Sequence, residues 1–215
     1  DSPYPESFKL KQIKIKMVKE VSSELKLLSK HSSIYSLSKI LNRVVSFVLL
    51  PLYLSYLTPE NYAVMDLLYF TLAFLSIVLE VGATTVIGRF YYDSEDKSIQ
   101  NEIVATAFYG FGLISTFVIL LTSLFSTQLS QLIFKTAEHS NLFELAFYGL
   151  ALDLFINIAF SYYRVQHKSL SLLIISVLRL VGQLSLNILF IVYYEMGIKG
   201  ILLSTLIING AMMLY

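Results

Sequence analysis

After residue 32 the chain is a succession of six long apolar stretches separated only by short polar breaks. A helix needs about 20 predominantly apolar residues to cross a bilayer hydrocarbon layer roughly 30 Å thick. Each stretch meets that length. Inside the layer no water is available to backbone N–H and C=O groups, so a spanning segment of this kind satisfies them internally, as a helix. Composition agrees, since 56% of the 215 residues are hydrophobic and only 14% are charged, against about a quarter charged in ordinary soluble domains. A soluble fold of this size cannot keep so many apolar side chains off its surface. The expected class is an all-α integral membrane protein, a six-transmembrane-helix bundle.

The predicted helices lie at about 33–57, 62–88, 103–126, 142–163, 169–193 and 198–215. Residues 103–134 carry no charge, whereas the first, second, fourth and fifth helices each hold ionisable residues within their spans. Thr58-Pro59-Glu60-Asn61 predicts a threonine N-cap followed by proline at the first helical position. Gly197 and Gly200 predict the turn before the last helix. Gly110, Gly112 and Gly149 predict close helix packing, and tyrosines near helix ends, Tyr53 and Tyr92 among them, suit interfacial belts.

Residues 1–32 differ from the rest. Seven lysines accompany Leu10, Ile13, Met17, Val21, Leu25 and Leu28, which recur at spacings of three and four. This is the pattern of a basic amphipathic helix lying on an anionic membrane surface, or of a solvated tail. Eleven lysines and arginines fall on the amino-terminal side of the membrane and two on the other. The expected orientation therefore places the amino terminus in the cytoplasm of a multi-pass protein in the cell inner (plasma) membrane. The chain opens at Asp1 and stops at Tyr215 inside an apolar run, as expected of a fragment of a longer protein.

Several function classes fall away. There are no cysteines and the net charge is +1, which leaves no disulfide scaffold, no thiol chemistry and no footprint for nucleic acid. His31, His139 and His167 are far apart and read as loop residues, not as a metal site. No nucleophile with its base and no phosphate-cradling glycine loop occurs. The expectation is a transporter, not an enzyme, with no cofactor and no metal.

Polar residues inside the spans form stripes. At about 100° per residue, Ser169, Ser176, Arg179, Gln183 and Asn187 fall within an arc of about 80°. Asp153, Asn157, Ser161 and Arg164 do the same on the preceding helix, as do Ser36, Lys39, Arg43 and Ser46 on the first. Asp66 and Glu80 share a face of the second helix. At about 1.5 Å per residue, Arg43, Asp153 and Arg179 lie roughly 15 Å deep and Glu80 roughly 12 Å. A charge at that level costs about 2.5–3.5 kcal/mol on the insertion scale. Two arrangements keep it there: ion pairs, Asp153 with Arg179 and Glu80 with Arg43, that only fix packing, or a watery cavity whose cations receive an anionic substrate.

Four motifs in order carry a resemblance. Arg43-Val44-Val45-Ser46-Phe47 leads through Pro51-Leu52-Tyr53-Leu54 to LTPENY at 57–62; GATTVIGRFYY follows at 82–92, YYRVQHKS at 162–169 and GIKGILLSTLI at 197–207. Residues 33–215 thereby resemble the polysaccharide (oligosaccharide) flippase family of the multidrug/oligosaccharidyl-lipid/polysaccharide (MOP) exporter superfamily. The resemblance implies that residues 33–215 form the N-terminal lobe of a two-lobed alternating-access transporter, the second lobe lying outside this chain. It implies translocation of undecaprenyl-pyrophosphate-linked oligosaccharide for surface polysaccharide biosynthesis, with membrane lipids and other polysaccharide-assembly proteins as further partners. Lys39, Arg43, Arg89, Arg179, Gln183 and Asn187 are then the expected substrate-binding residues, and Glu80, Asp153 and Asn157 the ion-pairing or coupling residues. Two other readings stay open: a cation-coupled drug antiporter of the same superfamily, using an acid such as Asp153 as its ion site, and a non-transporting membrane scaffold subunit.

Overall fold

A computed structural model describes residues 47–94 and 96–214 with Ser36, Ile40 and Val44, and for residues 80–84 the backbone alone. The basic segment 1–32, Lys39 and Arg43 lie outside the described residues, as does the side chain of Glu80. Among the described residues every regular element is helical: α1 (Phe47–Tyr56), α2 (Pro59–Phe90), α3 (Lys97–Ser123), α4 (Ser126–Phe134), α5 (Ser140–Val165), α6 (Ser169–Ile188) and α7 (Gly197–Met213). Four of them, α2, α3, α5 and α6 with its continuation to Tyr193, are long and apolar enough to cross a membrane; α1 and α7 are apolar but shorter over the residues described. The chain is a helical membrane protein.

Local chemistry sets the helix ends. Thr58 Oγ1 accepts from the Asn61 amide at 3.2 Å, and Pro59 opens α2 without needing the hydrogen bond its missing N–H would have made. α2 has 32 residues, about 48 Å at 1.5 Å each, which is longer than a hydrocarbon layer about 30 Å thick. Asp96 caps α3 by accepting from the Ser98 amide at 2.8 Å. This cap starts the helix at Lys97, ahead of the expected 103. α3 also ends early, at Ser123. There Thr122 Oγ1 donates to the Val118 carbonyl and Ser123 Oγ to the Leu120 carbonyl, each at 2.7 Å, and the Leu124 and Phe125 amides turn back three residues. Side chains that compete for backbone carbonyls in this way loosen a helix terminus.

A separate helix absent from the sequence expectation, α4, follows at once. Lys135 closes it in the left-handed region at φ 61°, and Ser126 ties it to α5 by donating to Glu144 Oε1 at 3.2 Å. Gly197, at φ 55°, supplies the expected turn before α7. Gly200 is no part of that turn. It lies within α7, where a Cβ would fall 3.0 Å from Phe190 Cβ, so its absent side chain lets α7 seat against the π-helical turn Leu189–Tyr193 that continues α6.

α5 is the centre of the bundle and packs against α2, α3, α4, α6 and α7. Its most apolar stretch is 56% buried, against 17–22% for the other three long helices, so α5 is enclosed by protein while they turn a face outward. Phe143, Phe147 and Leu154 of α5 form the main core with Leu68, Ile119 and Ile201. Gly112 receives the ring of Phe155, and the absent side chain of Gly182 makes room for Ile208. Outward-facing Phe70, Phe74, Leu113, Phe117, Leu178 and Val181 are exposed, which in a bilayer means contact with lipid tails.

Candidate functional site

The hydrophilic faces of α5 and α6 meet inside the bundle. Arg179 Nη2 forms an ion pair with Asp153 Oδ1, the two side chains 24% and 30% exposed. They sit on antiparallel neighbours joined by a short loop, which is why a residue midway along one helix reaches a residue midway along the next. The same nitrogen donates to Asn209 Oδ1 at 2.8 Å, and Asn209, fully buried in α7, donates in turn to the Gly149 carbonyl at 3.1 Å. Asn157 Nδ2 approaches Asp153 Oδ2 at 3.4 Å. Polar groups in a membrane interior persist when each has a partner, and this set meets the requirement across α5, α6 and α7.

One turn further along α6 the strip continues. Gln183 Nε2 donates to Thr205 Oγ1 at 3.3 Å and to Asn187 Oδ1 at 3.4 Å, and Asn187 Nδ2 donates to the Tyr53 hydroxyl at 3.1 Å. Asn187 is fully buried. The strip therefore links α1 to α5, α6 and α7 through uncharged groups on either side of one ion pair. On the other face of α6, Leu170, Ile174, Val177 and Leu178 are exposed.

Two cavities adjoin the strip. One of about 660 Å³ lies between α1, α2 and α6 and is lined by Tyr53, Tyr62, Tyr69, Arg179, Gln183 and Thr205, with apolar side chains such as Met65 and Leu180. A second of about 270 Å³ reaches Asp153 and Gly149 of α5 and shares Tyr69, Arg179 and Thr205 with the first. Arg179 thus stands at the junction of both.

Of the residues singled out from sequence, the structure brings together Asp153, Asn157, Arg179, Gln183 and Asn187. Arg89 is not with them. It is exposed at the far end of α2 with its guanidinium 5.7 Å from the Phe90 ring centre, and lines neither cavity. Asp66 is exposed on α2. Tyr53 departs from the interfacial-belt expectation: it is half-buried and bonded to Asn187, because its ring is turned into the bundle. Tyr69, Thr205 and Asn209 join the site without having been anticipated. Asn209 carried a readable signal, an amide in an otherwise apolar stretch, where a partner is obligatory. No protein-family model, no curated protein and no solved structure matches this chain.

Proposed function

We propose that the chain belongs to a transporter that moves a lipid-linked oligosaccharide, of the undecaprenyl-pyrophosphate type, across the cytoplasmic membrane by alternating access. In this reading the chain crosses the membrane six times from a cytoplasmic amino terminus and forms the N-terminal lobe of a MOP-type flippase. The observation that carries it is the strip of polar side chains on α1, α5, α6 and α7 bordering cavities of about 660 and 270 Å³ in an otherwise apolar bundle. A pyrophosphate sugar head cannot cross about 30 Å of hydrocarbon unaided. A continuous line of donors and acceptors offers it replacements for water, and the ordered motifs at 43–62, 82–92, 162–169 and 197–207 give the family reading its independent support. Arginine suits phosphate because it stays charged and offers a planar fork of donors. Lys39 and Arg43, with Arg89 at the far end of α2, are the cations proposed to meet the pyrophosphate, while Arg179, held by Asp153 and Asn209, offers its remaining donors to the sugar head. No covalent step is required.

The closed set Asp153, Arg179 and Asn209 favours a second reading, a non-transporting scaffold in which these groups only fix helix packing. One experiment separates the two. The full-length protein is reconstituted in vesicles with a fluorescent undecaprenyl-pyrophosphate oligosaccharide, and appearance of the sugar in the opposite leaflet is followed. Transport by the wild type and its loss in Arg43→Ala/Arg179→Ala, at equal incorporation, supports the flippase. Transport by the double variant at the wild-type rate returns the arginines to a structural role, and no transport by the wild type rejects the reading.

A further inference from the structure

The Asp153–Arg179 pair decides what kind of group the larger cavity suits. The guanidinium already holds Asp153 and Asn209 on Nη2. Its other three N–H donors make no hydrogen bond among the described residues. As a unit the pair is neutral. An anion placed against it meets the carboxylate of Asp153 as well as the guanidinium, in surroundings that screen repulsion weakly. A hydroxyl group meets open donors and no such opposition.

The rest of the lining is uncharged, with Phe47, Leu49, Leu50, Met65 and Leu180 forming an apolar part and tyrosines, an amide and a hydroxyl the polar part. Tyr53 and Tyr62 with Tyr69 contribute from α1 and α2, Gln183 from α6 and Thr205 from α7; Arg179 is the only charged lining residue among those described. Tyrosine presents a flat apolar ring with a hydroxyl at its tip, while the amide, hydroxyl and guanidinium supply both donors and acceptors. A sugar ring is built to match, with C–H groups on its faces and hydroxyls around its rim. At about 660 Å³ the cavity falls in the range of about 300–1,000 Å³ that holds a ligand of disaccharide size.

We propose that this cavity binds an uncharged sugar unit, its faces against the tyrosines and its hydroxyls on Gln183, Thr205 and the open side of Arg179. As a site for part of the transported substrate, this rests on the lipid-linked oligosaccharide reading. The pyrophosphate is then held by other cations, so sugar and phosphate are recognised at separate places.

The test uses the full chain in lipid nanodiscs, titrated with undecaprenyl pyrophosphate bearing or lacking a neutral disaccharide. It is also titrated with a panel of free neutral disaccharides that includes maltose, and with inorganic pyrophosphate as competitor. With 15 tyrosines and no tryptophan, intrinsic tyrosine emission reports binding. The disaccharide should tighten lipid binding about tenfold. Tyr69→Ala and Gln183→Ala should abolish that gain and leave the sugar-free lipid bound as before, while Tyr69→Phe, which keeps the ring, retains most of it. Equal weakening of both lipids, or displacement of free disaccharide by pyrophosphate, overturns the proposal in favour of an anion site. If the wild type binds neither lipid, the lipid-linked reading fails and the free sugars still decide. Saturable binding lost in both alanine variants upholds the cavity as a sugar site, and no binding across the panel overturns it.

Discussion

Arg179→Ala is the substitution whose cost the structure allows to be worked most closely. It removes the ion pair with Asp153 and the 2.8 Å hydrogen bond to Asn209. Exposed ion pairs contribute about 0.2–1 kcal/mol, and breaking a fully buried pair costs about 3–5 kcal/mol because a charge is left without a partner. With the side chains 24% and 30% exposed, the pair falls between these limits, at about 2 kcal/mol. The fully buried Asn209 Oδ1 loses its donor, adding about 1 kcal/mol. The expected total is therefore about 3 kcal/mol. Asp153→Asn retains an acceptor but strips the charge, for about 2 kcal/mol. Hydrogen bonds between membrane helices couple by about 0.6 kcal/mol on average, so an ion pair with a shared guanidinium should couple by about 1–2 kcal/mol. The assay is a double-mutant cycle of Arg179→Ala, Asp153→Asn and the double variant, with equilibrium unfolding in mixed micelles. A coupling below about 0.3 kcal/mol, within the scatter of independent sites, would refute the pairing and with it the neutral character assigned to the cavity wall.

Other expectations test the packing and the topology. Gly112→Ala should destabilise by about 1–3 kcal/mol, since its Cβ meets the Phe155 ring, whereas Gly110→Ala, with nothing within 4 Å, should be neutral or gain about 0.5–1 kcal/mol from helix propensity; equal effects in thermal melts would contradict the α3–α5 contact. Tyr53→Phe should cost about 1 kcal/mol by leaving Asn187 Nδ2 without its acceptor, and an unchanged melting temperature would remove Tyr53 from the strip. In this cysteine-free chain, a cysteine at Ala137 should react with an impermeant maleimide from outside intact cells, and one at Ser98 only after permeabilisation. The reverse pattern would invert the proposed orientation.

The polar strip on α6 was legible because helical periodicity converts spacing directly into direction. Ser169, Ser176 and Asn187 are buried as their shared arc requires, and Ser185, off that arc, is exposed. The Asp153–Arg179 contact was legible from depth and connectivity together. The break that creates α4 was not. Residues 103–134 contain no charge or proline to mark it; it arises from hydroxyls of Thr122 and Ser123 turning back on their own carbonyls, which other serines and threonines here do without interrupting a helix. Ser161, Ser204 and Thr205 bond the carbonyl four residues back and α5 and α7 run on through them. The same local bond thus accompanies both a break and an uninterrupted helix, so the sequence pattern alone does not mark the break.

Residue type misled at Tyr53 for a related reason. Tyrosine near a helix end is equally suited to a headgroup layer and to a buried hydrogen bond, and only the presence of Asn187 opposite decides. That juxtaposition also bears on how the bundle tolerates polarity. Each charge left alone at the midplane costs about 2.5–3.5 kcal/mol, so a stripe composed of cations alone would tax insertion heavily, whereas one ion pair extended by Gln183, Asn187, Thr205 and Asn209 presents hydrogen-bonding capacity with no net charge. A path for a sugar head needs the same property, because donors and acceptors that replace water without a strong field let the head bind and leave again. Neutral polarity arranged in a line answers both demands, so under the proposed sugar-site reading the residues that keep the bundle stable in the membrane are also those that would let a sugar unit leave.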